Sequence, residues 1–235
     1  MFKSLPDEIL VKFEKRVGKL PQKIKHIRLK NTTAKETWVC FVPELITRVG
    51  YLRKNFLGKS INADIYVSSE TTVQPNPKKT RDYLEKILKE AIKREKQNKT
   101  GNKLNVLGIS MGNVLAFRFA EYFKINKFVS VVPGSKLSEC IFESIATKKI
   151  AFNSGRSLKT YQKELRIFDP EAHIDTLKAK KIKIYLGKYD KMIPYKRGFE
   201  LVKKMKQKGL RPMVKIYPDD GHVEVIVKSI KEIFK

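Results

Sequence analysis

The sequence predicts an α/β protein: a mainly parallel central sheet with helices on both faces, in a single domain over residues 1–235. Two observations carry this. Short apolar runs rich in β-branched residues alternate with segments of helical period, the pattern of βαβ units. The stretch from Asn105 to Phe117 reads as a buried strand that turns abruptly into a helix, with one serine at the turn. A third observation sets the scale: 235 residues at 41% hydrophobic composition can bury one sizeable core.

In chain order, Ser4-Leu5-Pro6-Asp7 resembles a capped helix start, and Ile9, Leu10, Phe13 and Val17 follow at helical spacing until Gly18 and Pro21. Lys25 to Leu29 and Glu36 to Val42 are expected strands with a turn at Asn31-Thr32-Thr33. The run Trp38-Val39-Cys40-Phe41-Val42 is apolar on both faces. Leu45, Ile46, Val49, Tyr51 and Leu52 indicate loop and helix ending near Gly58. Ile61 to Val67 is another strand, and Gln74-Pro75-Asn76-Pro77 a loop. Thr80 to Gln97 is the clearest amphipathic helix, with Tyr83, Leu84, Ile87, Leu88, Ala91 and Ile92 on one face.

After the strand-turn-helix unit comes a short strand, Phe128 to Val132, closed by Pro133-Gly134. From 135 to 168 the alternation lapses into two helices, Leu137 to Ala146 and Leu158 to Ile167, with a break at Asn153-Ser154-Gly155. Strand Ile182 to Leu186, helix Pro194 to Lys208, strand Met213 to Tyr217 and helix Val223 to Phe234 complete the pattern.

Charge is the most unusual property. Fifty-one Lys+Arg against 24 Asp+Glu give a formal net charge of +27, a field that attracts nucleic acid, anionic membrane surfaces or acidic substrates. The basic residues are spread over almost every element, as at Lys86, Lys89, Lys93 and Lys96, and no aromatic stripe is interleaved with them. General surface bias, with weak association to polyanions or anionic membranes, is therefore expected in place of a specific nucleic-acid site. Cys40 and Cys140 form no disulfide framework and have no metal-ligand spacing. No apolar leader or membrane-spanning stretch is visible, so a soluble, reducing, cytoplasmic setting is expected.

In Gly108-Ile109-Ser110-Met111-Gly112 the glycines flanking the serine let a strand and a new helix approach closely around a residue at strained dihedrals. This G-x-S-x-G segment resembles the nucleophile elbow of the α/β-hydrolase family. It lacks the Lys of a phosphate-binding loop, and neither a cofactor nor a metal is expected. A serine needs a base to take its proton and a carboxylate to hold that base. Of the three histidines, His26 falls in an early strand and His173 in a loop before the penultimate strand. Only His222 follows a strand end on the edge where the elbow lies.

Asp190, in Gly187-Lys188-Tyr189-Asp190-Lys191-Met192-Ile193-Pro194, resembles the family's acid loop and precedes His222 by one helix and one strand. Asp219 and Asp220 compete but read as turn formers, and Asp169 and Asp175 are weaker candidates. The resemblance implies an oxyanion hole of backbone N–H groups, one from Met111 and one from the loop after the Trp38 to Val42 strand. There Val42-Pro43 replaces the family's usual His-Gly, and Pro43 has no N–H. Glu44 is then the second donor and Leu45 the reserve.

The resemblance further implies that 135–168 is a small helical cap roofing the site, and that the activity is acyl transfer through a covalent Ser110 ester. A serine hydrolase acting on a small-molecule carboxylic ester or thioester is the leading expectation. An acyltransferase, an amidase or peptidase, or a C–C bond hydrolase would use the same residues. Outside enzymes, the alternative is a non-catalytic hydrolase-like module binding polyanions. A lipid substrate at an anionic membrane would join charge to chemistry, but the Leu137 to Ala146 segment is only mildly amphipathic.

Overall fold

A computed structural model describes residues 24–44, 61–69, 71–98 and 103–235. Among these residues seven strands form one sheet: β1 (Lys25–Leu29), β2 (Glu36–Pro43), β3 (Ile61–Ser68), β4 (Lys103–Ile109), β5 (Ile125–Val131), β6 (Ala179–Gly187) and β7 (Met213–Tyr217). Their spatial order is β1-β3-β2-β4-β5-β6-β7. Every pairing is parallel except that of edge strand β1, which runs antiparallel to β3 with Lys25 opposite Val67. The helices expected at 4–17 and beyond Leu45 lie outside the described residues, as does Leu45 itself.

Parallel strands need covering on both faces, and the side chains of each strand are divided accordingly. In β2, Val39 and Phe41 join one core with Tyr66, Leu84, Leu115, Phe117, Phe128 and Ile184. Trp38, Cys40 and Val42 point to the other, with Ile65, Leu107, Val129 and Tyr185. The first core is roofed by α1 (Pro77–Gln97), α2 (Gly112–Phe119), the helices after β5 and α6 (Tyr195–Gln207). The second is covered by α7 (His222–Ile233), through Val225, Ile226 and Ile230, and by Phe234 beyond it, which meets Trp38 edge-on with ring centroids 5.1 Å apart.

Strand order reverses at β2, whose neighbours are β3 on one side and β4 on the other. In open parallel sheets such a reversal leaves a crevice at the carboxyl ends of the strands, where ligands bind. The turn from β4 into α2 lies at that crevice.

Between β5 and β6 the structure holds three α-helices, not two, followed by short 3₁₀ turns at Arg166–Phe168 and Pro170–His173. α3 (Leu137–Glu143) stops three residues earlier than the expected Ala146, α4 (Lys148–Asn153) occupies the ground before the expected break, and α5 (Leu158–Leu165) follows. At six residues α4 is too short to display a period; burial of Ile150 and Ala151 in the main core sustains it. Gly155, at φ 64°, makes the turn after it. The segment is anchored along its length. Tyr161 donates its hydroxyl to the carbonyls of Gln74 and Pro75, both at 3.1 Å, and Asp169 accepts from the Leu137 amide at 2.8 Å. The Ile145 amide bonds the Lys191 carbonyl at 3.1 Å, and Arg197 of α6 is ion-paired with Glu139 and Glu143.

Candidate active site

Ser110 follows the last residue of β4 and has φ 54°, in the left-handed region that few non-glycine residues occupy. Such a conformation costs of order 1–3 kcal/mol and persists only where the surroundings fix it. The Ser110 amide donates to the Val131 carbonyl at 3.0 Å, tying the turn to the end of β5. A Cβ on Gly112 would collide with the carbonyl of Phe41 and, at 3.0 Å, with the amide nitrogen of Val42. A Cβ on Gly108 would lie 2.6 Å from Asn113 Oδ1 and 2.8 Å from Ala116 Cβ. Both glycines of the G-x-S-x-G segment are therefore required by close approach, and the elbow presses directly on the end of β2.

His222 is the first residue of α7, just beyond β7, and is buried at 7% exposure. Its Nε2 lies 2.9 Å from Ser110 Oγ and its Nδ1 2.7 Å from Asp190 Oδ2. Asp190, in the loop after β6, is 6% exposed. Its second oxygen accepts from the amides of Met192 at 2.9 Å and Ile193 at 2.8 Å. A carboxylate on Nδ1 selects the tautomer with the proton there, leaving Nε2 free to accept from the serine hydroxyl. Three residues from the ends of three parallel strands thus form one hydrogen-bonded row.

The other titratable candidates lie elsewhere. His26 is bonded to Asp64 at 2.7 Å, within a cluster where Arg28 clasps the same carboxylate, and His173 lies between Glu121 and the Ile167 carbonyl. Asp220 is ion-paired with Lys228, and Asp175 with Lys208. Asp169 caps the start of α3; burial pushes its carboxyl up to about 7.

Met111 stands at the start of α2, where the first amides have no acceptor within the helix. Glu44 follows β2 directly, half-buried, with its carboxylate 3.8 Å from Lys25 Nζ. The contact of Gly112 with the Phe41–Val42 peptide brings the end of β2 against the elbow. Asn113 escaped the sequence reading although it follows the motif's last glycine. It is 1% exposed, and its side chain bonds the elbow, β5 and Ser130. A polar residue among Val114, Leu115, Ala116 and Phe117 is the one sign the sequence offers of it.

The model of the dienelactone hydrolase family matches residues 13–224, most of the chain. The chain belongs to that family. That membership agrees with the expected α/β-hydrolase fold and with the expected class of enzyme. No curated protein matches it in sequence.

Solved structures match its fold over most of its length at low identity. A puromycin-hydrolyzing peptidase of Mycobacterium tuberculosis aligns over 88% of this chain with a TM-score of 0.61 and 11% identity; the chain spans only 34% of that protein. Est1E from Butyrivibrio proteoclasticus aligns over 88% of this chain and 90% of its own, with a TM-score of 0.60 and 14% identity. The capsule O-acetyltransferase of Neisseria meningitidis serogroup A shares 18% identity over 89% of each chain, with a TM-score of 0.62. At these identities the likeness is one of fold. Among the described residues no helix is long and apolar enough to cross a membrane.

Proposed function

We propose that this member of the dienelactone hydrolase family cleaves a carboxylic ester or thioester of a small molecule through an acyl-Ser110 intermediate. The observation that carries the reading is the row Ser110 Oγ, His222 Nε2, His222 Nδ1, Asp190 Oδ2, at 2.9 and 2.7 Å, with its serine on a strained turn.

Ser110 Oγ attacks the acyl carbon as its proton passes to His222 Nε2. The carbonyl oxygen becomes an oxyanion that accepts from the Met111 amide, with the Glu44 amide as the second donor. The tetrahedral adduct collapses, its bond to the leaving oxygen or sulfur breaks, and His222 returns the proton to that atom. Water then attacks the acyl-Ser110 carbonyl with His222 as base, releasing acid and serine. Asp190 keeps the imidazole in the accepting tautomer and stabilises its charged form. In this reading the helices of 135–168, tied to the acid loop where the Ile145 amide bonds the Lys191 carbonyl, would be the cap that roofs the site.

The test is intact-mass spectrometry after treatment with a fluorophosphonate, followed by a panel of aryl esters and thioesters. Stoichiometric labelling is expected at Ser110 and absent in Ser110→Ala and His222→Ala. A folded wild-type chain that takes up no label refutes the reading and moves a non-catalytic, polyanion-binding role to the front. Acyl transfer uses the same intermediate, so an added alcohol that diverts product from acid to ester would identify a transferase. For the compartment we propose the cytoplasm, consistent with two buried free thiols, Cys40 and Cys140.

A further inference from the structure

We infer that Asn113 is a positioning residue for the oxyanion-binding amide of Met111, acting through the Ser110 carbonyl. The inference rests on the reading of Ser110 as nucleophile. Asn113 is the second residue of α2. Its Nδ2 donates to two carbonyls, Ser110 O at 3.0 Å and Val131 O at 2.8 Å, and its Oδ1 lies 2.6 Å from Ser130 Oγ. Two carbonyls can only be met by the amide's NH₂, so the carboxamide orientation is fixed and Ser130 must be the donor to Oδ1. Every polar atom of this buried side chain is used. Gly108 leaves the room for it, since a Cβ there would lie 2.6 Å from Oδ1.

The consequence follows from peptide planarity. The Ser110 carbonyl and the Met111 N–H belong to one trans peptide and point in opposite directions. Whatever holds the carbonyl aims the N–H. Asn113 holds it twice, through Nδ2 and through its own backbone amide at 3.0 Å. The same Nδ2 ties that carbonyl to Val131 O, which also receives the Ser110 amide. Val132, the next residue, has φ 46°, a conformation rare for a β-branched side chain. A single carboxamide thus bridges the strained Ser110 and the Val131 carbonyl that precedes the strained Val132, which fixes the end of β5 and the elbow as one unit. Replacing it with a methyl leaves the backbone bonds in place and frees the peptide to rock.

The test compares Asn113→Ala and Ser130→Ala with wild type on a neutral aryl ester. Its second measurement is the inhibition constant of a trifluoromethyl ketone, whose carbonyl carbon bonds Ser110 Oγ while its oxygen becomes a tetrahedral oxyanion. Loss of one oxyanion donor costs about 10²–10³ in kcat, so misaiming one is expected to cost about tenfold or more in Asn113→Ala. KM should be nearly constant, trifluoromethyl ketone affinity should fall by the same factor, and the pH dependence of kcat should keep its shape. Ser130→Ala, which removes the donor to Oδ1 and leaves both Nδ2 bonds in place, should shift kcat and inhibitor affinity together in the same direction by a smaller factor.

A folded Asn113→Ala that keeps wild-type kcat and ketone affinity overturns the clamp, as does a loss of kcat with ketone affinity unchanged. If Asn113→Ala does not fold, Asn113→Leu, close to the same size and without a donor for either carbonyl, decides on the same two readouts. Fluorophosphonate labelling of wild type separates the two claims: label with an unaffected Asn113→Ala removes the clamp alone, and no label removes the reading of the site and the clamp with it.

Discussion

Asp190 uses both oxygens, and this makes its replacement informative. Oδ1 is fixed by the Met192 and Ile193 amides and Oδ2 faces His222 Nδ1. In Asp190→Asn the two amides will claim the remaining oxygen, turning Nδ2 toward the imidazole. An NH₂ donor there forces the His222 proton onto Nε2, where it confronts Ser110 and can no longer accept. The expected loss is about 10⁴ in kcat with the fold intact, measured by steady-state hydrolysis of an aryl ester alongside thermal unfolding. A loss below about tenfold would show that Asp190 does not set the tautomer. That Ser110, Asp190 and His222 come together was legible in the sequence because each sits at a strand end with its own spacing. Asn113 was not, because its partners, Val131 and Ser130, come from a strand whose register against β4 appears only in three dimensions.

At the scale of elements, legibility followed the length of the repeating pattern. The 21 residues of α1 declare their period, although the helix begins at Pro77 instead of Thr80, because the Asn76 side chain accepts from the Lys78 amide and Pro77 fits the first turn. β6 begins at Ala179, ahead of the expected Ile182, because Lys180 and Lys181 hide a strand whose ladder against β5 already starts at Ile125. α4 was missed because packing, not propensity, forms it.

The segment containing it supplies a pH prediction. Burial raises the Asp169 carboxyl to about 7, above its ordinary value near 4. The folded state therefore holds the proton more tightly than the unfolded one. Its contribution to stability is full below pH 4 and declines as pH rises from about 4 to 7. Glu95, raised to about 7 by burial, acts in the same sense. Asp169→Asn retains an oxygen for the Leu137 amide and removes the titration. The variant is expected to match wild type at pH 4.5 and to melt higher at pH 8, by about 2–4 °C for each kcal/mol recovered. Equal melting temperatures at both pH values would refute the assignment.

At the scale of the whole molecule, a net charge of this size would act on encounter and not on the chemical step. A net +27 surrounds a crevice whose acid loop exposes Lys188 and Lys191 on either side of Tyr189-Asp190. Many other basic residues are ion-paired, as Lys127 is with Glu36 and Lys183 and Lys215 are with Glu232, so they add less to the local field than the total suggests. We propose that the field concentrates anionic substrates, the one link by which composition would reach function. Screening gives the test, since the Debye length falls to about 10 Å at 0.1 M salt.

For two aryl esters of the same acyl group, one with an anionic and one with a neutral leaving group, kcat/KM should diverge with salt. The anionic ester should lose several-fold between about 20 and 300 mM salt, within the 10–10³ range of electrostatic steering. The neutral ester should change by less than about twofold over the same range. In Lys188→Glu/Lys191→Glu the anionic ester should lose rate even at low salt while the neutral one does not. If both esters respond alike, the charge serves a surface remote from the catalytic crevice. Salt-sensitive polyanion binding by Ser110→Ala would then be the property to measure, since it needs the field and not the nucleophile.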